Sequence, residues 1–115
     1  IQADADRMKQ TAAPFGDLLG WGAITCAEWP YDAVMPAKKI SASGAAPILV
    51  VGTTNDPATP YEDAVSVSKQ LSAARLITLE GDGHTAYGNG NACLDSAVNS
   101  YLLSGTLPDE GLRCR

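Results

Sequence analysis

Two short apolar runs, "PILVVGT" at residues 47–53 and "ARLITLE" at residues 74–80, constrain this chain more than any other feature. Each is fenced by proline or glycine and is too short for an ordinary helix, the pattern of a strand buried on both faces. Between them lies the loop "NDPATP", then a segment that sets Ala64, Val67 and Leu71 on one helical face. Its start, Thr59-Pro60-Tyr61-Glu62, matches a capping box. The Thr59 hydroxyl is expected to accept from the Glu62 amide, with Pro60 in the first helical position, where a missing N–H costs nothing. After the second run, "NGNACLD" (89–95) reads as a turn and helix start. Leu94, Ala97, Val98, Tyr101 and Leu102 then fall at i, i+3, i+4, i+7 and i+8, and Gly105 is placed to end the helix. Strand, helix, strand, helix in this order predicts a right-handed βαβ unit with two parallel strands.

That inventory does not close. Two parallel strands make no stable sheet, and parallel sheets have both faces covered. A chain of 115 residues is expected to form one domain at most. The expected fold is therefore α/β, the end of a larger α/β protein or a chain that completes its sheet with another. Residues 1–35 are read as a separate helical segment and 36–115 as the βαβα part. Within the first segment, residues 1–13 look helical until Pro14 and Gly16 break them, and "DLLGWGAI" (17–24) suggests a second short helix. The following Pro-, Gly-, Ala- and Ser-rich stretch (25–47) is expected to lie on something, because Trp29, Tyr31 and Val34 are too apolar for a free linker. No internal repeat or low-complexity tract is present.

Several functions are disfavoured. A net charge of −5, with Lys38-Lys39 as the sole adjacent basic pair, argues against nucleic acid and anionic membranes as partners. No apolar run approaches the roughly 20 residues that cross a bilayer. Ile1-Gln2-Ala3-Asp4 lacks the basic start and apolar stretch of a signal peptide, which settles little in a sequence that opens without methionine. One histidine and no C-x-x-C spacing make a four-ligand zinc site improbable. The three cysteines, Cys26, Cys93 and Cys114, are expected to include a Cys93–Cys114 disulfide tying the tail to the start of the last helix. Such a pairing implies an oxidising compartment and leaves Cys26 free or paired outside the chain. The alternative is three buried thiols.

In open parallel α/β sheets, ligands bind beyond the carboxyl ends of the strands. The first strand ends in Gly52-Thr53-Thr54-Asn55-Asp56-Pro57 and the second in Gly81-Asp82-Gly83-His84, which holds the single histidine of the chain. Parallel neighbours deliver Asp56 and His84 to one sheet edge. A carboxylate beside an imidazole fixes the ring tautomer and stabilises the imidazolium, the arrangement of an acid–base pair. The bland alternative for His84 is a surface residue in a polar loop. Asp82 reads as a turn aspartate bonded to its own backbone, and Glu62 and Asp63 as acids suited to a helix start. Glu28, among apolar neighbours, is either a solvated loop acid or an anchor for a substrate's ammonium group.

The stretches "PILVVGTTNDPATPYEDAVSVSKQL", "ARLITLEGDGHTAYGNGNACLDSAVNSYLLSGTLPDEGLRC" and "AITCAEWP" together resemble the C-terminal region of tripeptidyl aminopeptidase-like α/β-hydrolases, which are secreted bacterial serine peptidases. The resemblance runs from about Ala23 to Cys114. It implies that Asp56 is the acid and His84 the general base of a Ser-His-Asp triad, with no metal or organic cofactor. In this fold the chain order is nucleophile, acid, histidine. Before Asp56 the serines are Ser41 and Ser43, in "KKISASGAAP", which is not a G-x-S-x-G elbow. The nucleophile is therefore expected upstream of residue 1, and residues 1–115 alone are expected to be inactive. The resemblance also implies that residues 1–35 are the return from a cap region over the site, and that Glu28 binds the free amino terminus of a peptide. The expected partners are a peptide substrate and either the N-terminal part of the same hydrolase or a second copy. The expected location is secreted or at the cell envelope. Two other readings remain: an esterase or other hydrolase of the same fold, and a non-catalytic interaction module with an exposed strand edge.

Overall fold

The computed structural model describes all of residues 1–115. They form two compact units, Ile1–Ala37 and Lys38–Arg115.

The first unit holds three helices, α1 (Gln2–Thr11), α2 (Gly16–Leu19) and α3 (Ile24–Ala27). Small residues let α1 and α2 approach: a Cβ on Gly20 would lie 2.8 Å from the Ala5 Cα. Lys9 and Asp17 pair at 3.1 Å across them. The single helix expected over 17–24 is instead two short helices, separated by a turn through Gly20 and Gly22. The expectation that the following stretch lies on something also needs correction. Trp29, Tyr31 and Val34 are exposed, Val34 at 99%. This unit buries only the small residues Ala5, Gly16 and Gly20 and encloses no large apolar side chain.

The second unit contains β1 (Ile48–Asn55), α4 (Tyr61–Gln70), β2 (Ala74–Asp82), α5 (Ala92–Ser104) and β3 (Arg113–Cys114). The sheet order is β1-β2-β3, and both pairings are parallel. Alternation along the strands divides the two faces. Ile77 and Val51 face α5 and form the core with Ala86, Leu94, Val98 and Cys114. Gly52 and Thr78 face α4 instead. A Cβ on Gly52 would sit 2.8 Å from the Ala64 Cβ and 2.9 Å from the Tyr61 ring, so glycine is what admits the helix here. Tyr61 Oη and the buried Thr78 Oγ1 share a hydrogen bond of 2.7 Å.

The last strand is not announced by the sequence pattern. Two residues are too few to show a period, and their pairing is held by side-chain chemistry instead. A disulfide joins Cys93, in the first turn of α5, to the buried Cys114 of β3. Glu80 accepts from Arg113 Nε at 2.6 Å and from Arg115 Nε at 2.5 Å. These contacts hold the Glu80 carboxyl below its ordinary range, the Arg113 bond contributing most. β3 thus covers one edge of β2, while the outer edge of β1 has no partner strand within the chain. That exposed edge explains why Val50 and Val51 are only half-buried, where a strand covered on both faces was expected.

The face of α5 is narrower than its periodicity suggests. Leu94 and Val98 are buried and Tyr101 donates to the Pro47 carbonyl at 2.7 Å, but Leu102 is 63% exposed. Asn91 caps the helix by accepting from the Leu94 amide at 3.0 Å, and Gly105 ends it in the left-handed region at φ 72°.

Candidate active site

The site is built where β1 and β2 fall out of register. Thr53 pairs with Leu79, but the next pair is Asn55 with Asp82, so Thr54 alone faces Glu80 and Gly81. Such a bulge breaks the ladder and re-aims the residues beyond it. Side chains take over from the missing backbone bonds. Thr54 Oγ1 accepts from the Gly81 amide at 3.1 Å and donates to the Gly81 carbonyl at 3.2 Å. Asn55 Nδ2 donates to Asp82 Oδ1 at 2.9 Å, so Asp82 staples the two strand ends together and does not make the local turn bond expected of it.

Beyond this point each loop delivers one group. The Asp56 side chain is 5% exposed and its carboxylate is surrounded by donors. Oδ1 accepts from the Ala58 amide at 2.8 Å and the Thr59 amide at 2.9 Å, and Oδ2 from the Thr59 hydroxyl at 2.8 Å. His84 Nδ1 lies 3.1 Å from Oδ1 and 3.0 Å from Oδ2. The Asp56 carboxyl is held well below the usual carboxylate range. The Thr59 amide is the main cause, the Ala58 amide, His84 and the Thr59 hydroxyl add to it, and burial opposes it.

An ionised carboxylate only accepts, so the imidazole nitrogen facing it carries the proton. In neutral His84 the Nε2 lone pair is then free to take a proton from a substrate or nucleophile. The ring is 51% exposed, as such a role requires.

The backbone beneath it is anchored. Gly83 turns at φ 108° and Thr85 at φ 67°, a left-handed conformation uncommon for a β-branched residue. Ala86 then inserts into the core. The Gly88 amide donates to Asp95 Oδ1 at 2.8 Å and Tyr87 Oη to Asn99 Oδ1 at 2.7 Å, fastening the loop to α5. A cleft of about 460 Å³ opens beside Asp56, lined by Val50, Ala64, Val67 and Tyr87 among others.

The capping box does not form. Helix α4 begins after Pro60 with no side-chain cap, because the Thr59 hydroxyl is engaged by Asp56. Sequence reasoning thus missed Thr59, Thr54, Asn55 and Asp82 as site-building residues. The available signal was the spacing Asp56-Pro57-Ala58-Thr59, in which a turn can return two amides and a hydroxyl to the aspartate. Glu28 is exposed at the C-terminal end of α3, in the first unit. Cys26 is free and exposed. Ser41 and Ser43 hydrogen-bond each other at 3.1 Å.

A protein-family model described as "TAP-like protein" matches residues 11–114. Among curated proteins, carboxylesterase B of Mycobacterium tuberculosis is 44% identical over 117 residues, covering 96% of this chain and 22% of that protein. Serine protease Hip1 of the same organism is 40% identical over 115 residues, with the same coverage. Tripeptidyl aminopeptidase of Streptomyces lividans is 35% identical over 95 residues, covering 82% of this chain and 18% of that protein. The chain therefore spans about a fifth of the length of these relatives, all of them hydrolases by name.

Proposed function

This chain belongs to the TAP-like family of α/β-hydrolases, and on that footing we propose that Asp56 and His84 are the acid and the general base of a serine hydrolase. The observation that carries the reading is the contact of His84 Nδ1 with both Asp56 oxygens at 3.0–3.1 Å, where parallel strands end on a common edge. The attacking serine comes from outside these residues, since no G-x-S-x-G elbow occurs among them. Residues 1–115 alone are then inactive. The 36–115 part supplies the end of the hydrolase core and residues 1–35 the return from a cap. The rest of the hydrolase completes the sheet along the open edge of β1.

In the complete site, His84 Nε2 accepts the serine proton as the serine oxygen attacks the substrate carbonyl. Asp56 stabilises the imidazolium that results. The proton then passes to the leaving group as the tetrahedral intermediate collapses to an acyl-enzyme, and a water repeats the cycle.

The favoured substrate is a peptide with a free amino terminus, from which a short peptide is released. The relatives named as a serine protease and a tripeptidyl aminopeptidase support this choice. Glu28 is the proposed anchor for the substrate ammonium group. The disulfide supports an exported enzyme, since such bonds persist in oxidising compartments. An esterase is the second reading, favoured by the relative named as a carboxylesterase.

The test uses the full-length protein with matched tripeptide amides and carboxylic esters. His84→Ala and Asp56→Asn should each lower kcat by about 10³–10⁴-fold and slow fluorophosphonate labelling of the serine. A His84→Ala enzyme at the wild-type rate would refute the assignment. Turnover of esters but not amides would select the second reading.

A further inference from the structure

We propose that Thr59 is a positioning residue for the acid–base pair, its hydroxyl locking the Asp56 carboxylate in the rotation that presents both oxygens to His84. This role rests on the assignment of Asp56 and His84 as acid and base.

The two oxygens of the carboxylate are held differently. Oδ1 is held by two amides, of Ala58 and Thr59. Those bonds restrain one oxygen but leave the carboxylate plane free to turn about it. Apart from His84 itself, Oδ2 has one donor, the Thr59 hydroxyl at 2.8 Å. Three donors from a single turn therefore set the carboxylate before the imidazole contributes anything.

The same hydroxyl oxygen lies 3.3 Å from His84 Nδ1. Having given its one proton to Oδ2, it presents only lone pairs to the ring. It can accept from an Nδ1–H but cannot donate to a bare Nδ1, so it reinforces the tautomer that leaves Nε2 free. Both effects depend on the hydroxyl. The sequence pattern assigns that hydroxyl to capping α4, yet α4 starts without a side-chain cap. Its use lies at the site.

Three variants of the full-length enzyme separate the hydroxyl from the shape around it. Thr59→Val keeps the branched outline and removes the donor, and is expected to lower kcat by about 10–100-fold with KM within about twofold. Thr59→Ser keeps the donor and should stay within about threefold of wild type. Thr59→Ala should fall with the valine variant, and serves as the deletion should valine unfold the protein. A valine or alanine enzyme that melts like wild type and turns over at its full rate overturns the proposal. So does a serine variant as slow as valine, since the hydroxyl would then not be what matters. His84→Ala, measured in parallel, keeps the two claims apart. If it is inactive while Thr59→Val is fully active, only the role of Thr59 falls. If it is fully active, the underlying acid–base reading falls.

Discussion

Replacing Cys93 and Cys114 together by alanine removes the covalent tie between α5 and β3. The bridge joins positions 21 residues apart, and closing a loop of that length in the unfolded chain corresponds to about 3 kcal/mol. Cys114 is 1% exposed, so little relief comes from solvating its side chain in the folded state. With a urea dependence of about 1–3 kcal/mol per molar for small proteins, the unfolding midpoint should fall by about 1–3 M. The tail should fray first. The Thr78 amide, which donates to the Leu112 carbonyl at 3.0 Å, should lose its protection against hydrogen exchange before the amides of β1. The remaining ties, Glu80 to the two arginines and Asn91 Nδ2 to the Arg115 carbonyl at 3.1 Å, are exposed and cannot replace the bridge. A thiol titration of unreduced, denatured protein should count the free Cys26 alone within this segment. A stability loss below about 1 kcal/mol, or three titrating thiols in the segment, would refute the reasoning.

Two single residues offer further tests. The Asp56 carboxyl titrates below its ordinary value of 3.8 in the folded protein, so its contribution to stability is complete above that value and is lost as pH falls toward the folded one. An acid-unfolding series should show this loss in the wild type and a shallower pH dependence in Asp56→Asn; equal slopes would remove the linkage. Gly52→Ala should cost about 1–3 kcal/mol in thermal unfolding, because the new Cβ meets Ala64 and the Tyr61 ring, and an unchanged melting temperature would show that α4 yields freely.

How far the sequence could be read depended on whether a feature was periodic or contextual. The strands around Val50 and Ile77 declare themselves as unbroken apolar runs and the stripe Leu94-Ala97-Val98 by its spacing, and the parallel order of the strands brings the loops holding Asp56 and His84 to one edge. The β3 pairing could not be read, because two residues carry no period and their place depends on Cys93 and Glu80, distant in sequence. The capping box failed for a related reason. A threonine before Pro-Tyr-Glu satisfies the local rule for a helix start, but a carboxylate three residues earlier offers its hydroxyl a charged acceptor, and charge-assisted hydrogen bonds are the stronger kind. Asp82 likewise followed a local turn rule until the register break at Thr54 put Asn55 opposite it.

The last two of these departures, at Thr59 and Asp82, share one location, the loops that carry Asp56 and His84. Every donor to the Asp56 carboxylate comes from residues 58, 59 and 84, and the bonds that staple the two strand ends beneath it come from residues 54, 55, 81, 82 and 83. The His84 loop is fastened in turn to α5 through Tyr87 and Gly88. Asp56 and His84 are therefore oriented by their own neighbours, within one compact unit. Such preorganisation is what an acid–base pair needs if it is to act without rearranging during the reaction. On the proposed reading, the geometric demand left to the rest of the hydrolase is narrow: a hydroxyl brought to the Nε2 of a ring whose other nitrogen already faces Asp56.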